Sequence, residues 1–152
     1  MLSQILKSEV LNVVISGSIT WPPFRVNVPF LNGIFARYRK RFNFISVYVK
    51  EAHARNEWPI RNKAELQIAQ HKSNQERTEL ALNLQHKYGM EWPIFTDTID
   101  KNEFLNVYSG WPLQVFLIYN GKIKWNIQPK QPGYVDLNDL DAILSQFYQT
   151  LS

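Results

Sequence analysis

Two short apolar runs with one helical segment between them constrain the fold of this chain most. Residues Leu11–Ser16 and Phe44–Val49 are rich in β-branched and aromatic side chains, which is typical of buried strands. Between them, Val28–Arg41 carries apolar side chains at helical spacing. A strand, a helix and a second strand in this order predict a parallel pair joined by a right-handed crossover. We therefore expect an α/β fold.

The rest of the chain predicts further strands and helices. The strongest strand, Leu113–Tyr119, is followed by Asn120-Gly121, a dipeptide typical of hairpin turns, so Lys122–Ile127 should pair with it antiparallel. An antiparallel edge on a parallel pair gives a mixed sheet with helices on both faces. The remaining predicted elements are a helix capped by Ser73 and ending near Tyr88, a strand at Pro93–Thr96, a helical turn at Phe104–Tyr108, and a helix capped by Asp136 and running to Leu151.

Composition limits the classes of chemistry open to the chain. Its 152 residues, 45% of them hydrophobic and 20% charged, are expected to form one domain over residues 1–152. The absence of cysteine excludes disulfides, cysteine-based zinc sites and thiol nucleophiles. No Asp or Glu pair accompanies the histidines at ligand spacing, so no metal site is predicted. A net charge of +4 is too small to indicate nucleic acid as a partner.

No targeting or membrane segment is predicted. Ser3, Gln4 and Lys7 interrupt the first ten residues, which therefore do not form an apolar signal region. The longest apolar runs, such as Val115–Tyr119, are about five residues long, whereas roughly 20 are needed to span a bilayer. We expect a soluble, cytoplasmic protein.

Four of the five tryptophans directly precede a proline, and these dipeptides should lie in loops or at strand starts. The four are Trp21, Trp58, Trp92 and Trp111. A trans turn is the ordinary outcome for such a dipeptide, but an aromatic residue before proline favours the cis bond. We therefore predict that Pro112 is cis and lies at the carboxyl end of the sheet.

The stretch Ser16–Pro23, which follows the first strand, is expected to lack regular structure because glycine and two prolines interrupt it. In open α/β sheets ligands bind at such strand ends. The spacing is one that redox proteins use to place a nucleophile at the start of a helix. Ser18 and Thr20 are unactivated hydroxyls, however, and Trp21 has no nucleophilic atom, so from the residues alone a rigid connecting loop is the better explanation of this stretch.

Two histidines fall near the same edge of the predicted sheet. His53 follows the second strand directly, where it could act as a general acid or a proton relay. His71 opens the next helix, where a positive charge is disfavoured, so a neutral ring is expected. Either histidine could instead be a polar residue facing solvent. By themselves, the residues indicate a ligand-binding edge near Thr20, His53 and Pro112.

Four segments resemble motifs of the iodothyronine deiodinases. Gly17–Phe24 resembles the active-site loop of that family, Gly-Ser-Cys-Thr-selenocysteine-Pro-Pro-Phe. Val47–His53 resembles the family's strand and Glu-Glu-Ala-His motif. Gln70–Ser73 is similar to a Gln-His-Arg-Ser helix start, and Thr96–Thr98 is similar to an Asp-Thr-Met turn. All four occur in the family's order, so the resemblance extends over nearly the whole chain.

The resemblance implies a thioredoxin-like fold and the reductive removal of iodine from thyroid hormones. In that reaction a selenolate attacks the iodine, a histidine relay protonates the ring carbon, and an external thiol regenerates the selenol. No bound cofactor is implied. The implied partners are a small iodoaromatic substrate, the thiol reductant and a second copy of the chain in a homodimer.

Each implied role falls on a position of this sequence. Trp21 occupies the selenocysteine position. His53 matches the relay histidine, with Ser18 and Thr20 as hydrogen-bonding neighbours. His71 matches the histidine that holds the phenol of the substrate.

The sequence departs from the family pattern at four places. Trp21 cannot form a selenium–iodine bond, and Ile19 replaces an auxiliary cysteine. A Glu-Arg pair that precedes the family's fourth strand falls on Leu113-Gln114. The arginine that binds the carboxylate of the hormone falls near Lys130, which supplies the charge without the bidentate fork. As written, the chain is expected to be redox-silent.

One hypothesis explains Trp21 together with the intact Pro22-Pro23-Phe24 that follows it. The selenocysteine codon is UGA, which some genetic codes and translation pipelines read as tryptophan. The alternative is a true tryptophan in a non-catalytic module that binds a ligand or regulates a partner through the same cleft. In a deiodinase cleft, His53 and His71 should both lie near residue 21, with His53 the closer. His71 should stand further out, with a depressed pKa.

Overall fold

The chain folds around a five-stranded sheet, in agreement with the predicted mixed α/β architecture. The computed structural model describes residues 2–60, 67–127 and 136–151. The strands are β1 (Asn12–Gly17), β2 (Asn43–Tyr48), β3 (Ile94–Thr96), β4 (Leu113–Tyr119) and β5 (Lys122–Asn126). Their order across the sheet is β3-β2-β1-β4-β5.

Two of the strand pairings are those that the sequence predicts, the parallel pair of β1 with β2 and the antiparallel pair of β4 with β5; the pairings of β3 and of β4 with their inner neighbours are additional. β1 and β2 are parallel, with Val14 opposite Ile45, and β3 is parallel to β2. β4 is antiparallel to β1 and forms a hairpin with β5 through Asn120-Gly121, two residues with positive φ. β3 and β5 are the edges of the sheet, and β5 carries the exposed side chains of Lys122 and Lys124.

Helices cover both faces of this sheet. They are α1 (Pro22–Val26), α2 (Val28–Tyr38), α3 (Asn74–Lys87), α4 (Glu103–Tyr108) and α5 (Asn138–Thr150), with a short 3-10 turn at Leu2–Gln4. Within the described ranges, no helix is long and apolar enough to cross a membrane.

Alternate side chains of β1 face two separate cores. Val13 and Ile15 point into the larger core, which α2, α3 and α5 cover. Val14 points to the opposite face, into a smaller core that α4 and the N-terminal turn cover. The carboxyl ends of β1 and β2 therefore lie between two packed layers, where the loops that follow them meet.

Several helix boundaries differ from the predicted ones. α1 begins at Pro22, inside the stretch expected to be irregular, because the first turn of a helix does not need the N–H that proline lacks. α2 ends at Tyr38 rather than Arg41. α5 has Leu137 as its N-cap without a side-chain bond, although the Asp136 carboxylate accepts a hydrogen bond from the first helical N–H at 2.9 Å.

Candidate active site

The loop after β1 meets the turn that precedes β4 at the carboxyl ends of β1 and β2. Trp21 is the N-cap of α1 and has an extended backbone, with φ −77° and ψ 112°. The Trp111–Pro112 peptide bond is cis, as predicted. The Ser18 N–H donates to the Pro112 carbonyl at 2.9 Å. The loop that holds residue 21 is therefore hydrogen-bonded to the turn that precedes β4.

His53 packs directly on the residue at position 21. The two ring centroids are 5.3 Å apart and the rings are stacked, with 15° between their planes. The ring of Trp58 also contacts His53, at 5.1 Å, and the Trp58 carbonyl lies 3.0 Å from His53 Nδ1. The His53 backbone N–H donates to Thr20 Oγ1 at 2.9 Å. The predicted proximity of His53, Thr20 and residue 21 is therefore present.

A buried carboxylate, Glu51, lies at the centre of the site. This residue is 1% exposed and receives hydrogen bonds on both oxygens. Oε2 accepts from the Ser18 hydroxyl at 2.7 Å, from the Thr20 hydroxyl at 2.6 Å and from the Thr20 N–H at 2.9 Å. Oε1 accepts from the Tyr48 hydroxyl. Four donors around one carboxyl group favour its ionised form.

The two loop hydroxyls direct their protons to Glu51. Ser18 Oγ accepts the Ala52 N–H at 2.7 Å, and Thr20 Oγ1 accepts the His53 N–H at 2.9 Å. A backbone N–H cannot accept a hydrogen bond, so each hydroxyl has its single proton left for the carboxylate. The hydroxyl oxygens themselves are 3.0 Å apart.

His71 lies behind Glu51, inside the protein. Its side chain is 1% exposed, and Nε2 lies 3.3 Å from the Tyr48 hydroxyl and 3.9 Å from Glu51 Oε1. Nδ1 accepts a hydrogen bond from Arg77 Nε at 3.3 Å. The outward position predicted for His71 is therefore wrong, because both ring nitrogens face buried partners.

Burial shifts the pKa of both groups. Burial, with the charge of Arg77 as a second cause, lowers the pKa of His71 to about 4, so the ring is neutral at neutral pH, as predicted. Burial also raises the pKa of Glu51, whereas hydrogen bonds from Thr20 and Ser18 oppose that rise. Glu51 therefore takes up a proton more readily than an exposed carboxylate does.

Three members of this cluster were not predicted as site residues. Glu51 belongs to the motif that ends at His53, and its place two residues before the histidine was the available signal. Tyr48 carries no signal beyond its place in a strand. Arg77 lies on the face of α3 that also buries Ala81 and Leu84. A charged residue that falls at the helical spacing of buried residues is the signal that could have identified Arg77.

The remaining predicted positions contribute less to the described site. Lys130 lies outside the described residues. Leu113 is buried at the start of β4, and the neighbouring Gln114 is half-buried with no hydrogen-bond partner for its Oε1. Ile19 is 1% exposed and belongs to the larger core. Among the residues that the structure describes, no group of three His, Asp or Glu side chains could hold a metal ion.

The amino-acid sequence is similar to those of known deiodinases. A family model for iodothyronine deiodinase matches residues 4–148. The chain is 29% identical over 122 residues to the type I iodothyronine deiodinase of Xenopus laevis, and 26% identical over 135 residues to the thyroxine 5-deiodinase of Sus scrofa. The alignments cover 76% and 89% of this chain but 47% and 43% of the relatives. The chain therefore spans a little under half of their length.

The fold is similar to that of solved disulfide oxidoreductases. A thiol:disulfide interchange protein DsbE of Chlorobium tepidum has a TM-score of 0.60 at 19% identity, with 99% of this chain and 85% of that chain covered. A secreted disulfide oxidoreductase of Mycobacterium tuberculosis has a TM-score of 0.59 at 11% identity, with 95% and 85% covered. These similarities show a thioredoxin-like fold. Because the family match also extends over nearly the whole sequence, the chain belongs to the iodothyronine deiodinase family.

Proposed function

We propose that this chain is the catalytic unit of a reductive deiodinase whose nucleophile stands at position 21. A selenolate there attacks the iodine of an iodoaromatic substrate, and a selenium–iodine bond forms as the carbon–iodine bond breaks. The electron pair stays on the ring carbon, which takes up one proton. Two thiol molecules then reduce the selenenyl iodide, which yields iodide, a disulfide and two protons and restores the selenolate.

The position of His53 beside residue 21 carries this proposal, and the hydrogen bond from the His53 backbone N–H to Thr20 Oγ1 at 2.9 Å fixes it whichever residue stands at position 21. It places a titratable ring against the residue that would attack the iodine. Behind that residue, Glu51 is the base that can store the proton, because burial raises its pKa. Thr20 bonds to Glu51 and directly precedes residue 21, so its hydroxyl is the nearest route for that proton.

We infer that Trp21 stands for selenocysteine. An indole has no atom that can attack iodine and be regenerated by thiols, so the chain as written should not turn over. Mass spectrometry of the protein purified from its native cells tests this inference. The mass of selenocysteine at position 21 is the expected result, and an indole at that position would overturn it.

The substitution Trp21→Cys tests the reaction itself. A thiolate at this position should give release of iodide from an iodothyronine that depends on an added dithiol, since cysteine supplies the missing nucleophile. The matched control is Trp58→Cys, which places a thiol on the other tryptophan that contacts His53 and should release no iodide. No iodide from Trp21→Cys, or equal release from both variants, would contradict the proposal.

A non-catalytic binding module is the second candidate. Trp21 and Trp58 both contact His53, Trp58 is 66% exposed, and the buried indole N–H of Trp21 has no hydrogen-bond partner. An aromatic ligand with an acceptor group could stack on this surface and satisfy that N–H. Equilibrium dialysis with an iodothyronine separates the candidates: binding by the chain as written, without iodide release from Trp21→Cys, favours the binding module.

A further inference from the structure

We propose that Arg77 is a positioning residue that orders the protons of the buried cluster by fixing the tautomer of His71. Arg77 lies on the core face of α3 and is 2% exposed. Its Nε donates to His71 Nδ1 at 3.3 Å, and a terminal nitrogen donates to the Asp97 carbonyl at 2.8 Å. A guanidinium keeps its protons in proteins and has no acceptor, so His71 Nδ1 must be the acceptor.

The proton of the neutral His71 ring then lies on Nε2. A neutral imidazole has one donor nitrogen and one acceptor nitrogen, and Arg77 already occupies the acceptor. Nε2 therefore donates to the Tyr48 oxygen, 3.3 Å away. A doubly protonated ring would bring two N–H groups face to face at Nδ1. Arg77 thus opposes the charged form of His71 through hydrogen-bond geometry as well as through its charge.

Tyr48 extends this order to Glu51. Because the Tyr48 oxygen accepts from His71, its single proton is directed at Glu51 Oε1. At the other end of the cluster, two backbone N–H groups turn the loop hydroxyls toward Oε2 of the same carboxylate. Hydrogen bonds therefore converge on Glu51 from both sides, which leaves Glu51 as the base of the cluster.

Among the residues that the structure describes, four ionisable groups contact His71 or act on its charge. Arg77 and Glu76 belong to α3, and Tyr48 and Glu51 lie at and just after the end of β2. Arg77 disfavours the charged ring, whereas Glu76 favours it. The inference that this order of protons serves proton delivery rests on the proposed function. The assignment of the His71 tautomer does not rest on it.

Nuclear magnetic resonance of the chain as it exists, with Trp21 in place, tests the tautomer. The double variant His53→Gln/His86→Gln leaves His71 as the only imidazole of the chain. Long-range correlations between ring protons and ring nitrogens identify which nitrogen is protonated. We expect Nε2–H at neutral pH, and a predominant Nδ1–H would overturn the proposal.

Two substitutions in this background identify what sets the tautomer. Tyr48→Phe removes the partner of Nε2 but leaves Arg77, so Nε2–H should persist; a switch to Nδ1–H would assign control to Tyr48 and overturn the proposal. Arg77→Met should populate Nδ1–H and raise the titration midpoint of His71, and Arg77→Lys should restore part of the original pattern. An unchanged tautomer in folded Arg77→Met overturns the proposal. If Arg77→Met does not fold, the parent background and Tyr48→Phe decide the question.

This experiment is independent of turnover. If Trp21→Cys releases no iodide while Nε2–H persists in Tyr48→Phe, the proposed function fails and the role of Arg77 stands. If iodide is released but His71 carries its proton on Nδ1, the proposed function stands and the role of Arg77 fails.

Discussion

Glu51 is almost fully shielded from water, so the donors that reach it must replace its hydration. Glu51→Gln keeps the shape of the side chain but turns an NH2 group toward donors that need an acceptor. The neutral amide also avoids the cost of a buried charge, which limits the loss. We expect Glu51→Gln to lower the free energy of unfolding by about 1–3 kcal/mol in urea denaturation.

Glu91→Gln is the matched control, because Glu91 is exposed. We expect its effect to stay within about 0.5 kcal/mol. Equal effects of the two substitutions would show that the four donors around Glu51 do not depend on a carboxylate.

The buried His71 ring should make stability depend on pH. Its pKa is lowered to about 4 from the ordinary value of 6.5, so between these pH values the unfolded chain binds the proton more tightly. Stability from this group is complete above pH 6.5 and is lost as the pH falls toward 4. The raised pKa of Glu51 makes stability fall as the pH rises, which is the opposite dependence. The contribution of His71 must therefore be measured as a difference between two variants.

Comparison of the parent chain with His71→Gln isolates the histidine. Between pH 7 and pH 5 the unfolding free energy of the parent chain should fall by about 2 kcal/mol relative to that of His71→Gln. His86→Gln removes an exposed histidine and should show no such change. A constant difference across this range would mean that folding does not change the pKa of His71, and would contradict the prediction.

The motif residues of the site could be predicted from the sequence, but the buried position of His71 and its contact with Arg77 could not. The placement of His53 beside Thr20 follows from strand ends that meet at one edge, which is a property of the topology. The inward turn of His71 depends on Arg77, six residues further along and on the buried face of α3. The position of Arg77 among the buried residues of α3 is a local signal, but whether an arginine at such a position enters the core depends on partners supplied by distant segments.

At the scale of elements, predictions succeeded where one local signal dominates. The hairpin turn at Asn120-Gly121 and the cap at Ser73, whose hydroxyl accepts the Glu76 N–H at 3.1 Å, both follow from the residue types alone. The prediction that Pro22 lies in irregular structure is wrong, because a proline can either end regular structure or occupy the first turn of a helix. Which role it takes depends on the packing of the residues that follow.

Replacement by alanine should have opposite effects on stability at two glycines, one within α2 and one in the turn before β4. A Cβ at Gly33, within α2, meets nothing within 4 Å, so Gly33→Ala should raise the free energy of unfolding by about 0.5–1 kcal/mol. A Cβ at Gly110, before the cis proline, would lie 2.4 Å from Ser16 Oγ and 2.5 Å from Phe104 Cε1. Gly110→Ala should therefore lower stability by about 1–3 kcal/mol. Thermal unfolding of both variants checks this, and shifts in the same direction would contradict it.

At the scale of the whole molecule, the site draws on only part of the sheet. The cluster is assembled from the ends of β1 and β2, the loop that leads to α1, and α3. β4 contributes through the turn before it, whose Pro112 carbonyl holds the Ser18 N–H at 2.9 Å. β5 is remote from this cluster, since it pairs only with β4 among the described strands.

The lysines of β5 bear on how readily this edge of the sheet could pair with a strand of another molecule. An edge strand presents unpaired backbone groups on which another chain can template a further strand, and charged side chains are a common defence against it. Lys122 and Lys124 flank Ile123, which is 49% exposed, so a double Lys122→Val/Lys124→Val substitution would leave a continuous apolar edge. We expect this variant to aggregate faster on warming, measured by light scattering, whereas Lys87→Val, an exposed lysine of α3, should behave like the parent chain. The two charges would then be a barrier to intermolecular sheet growth.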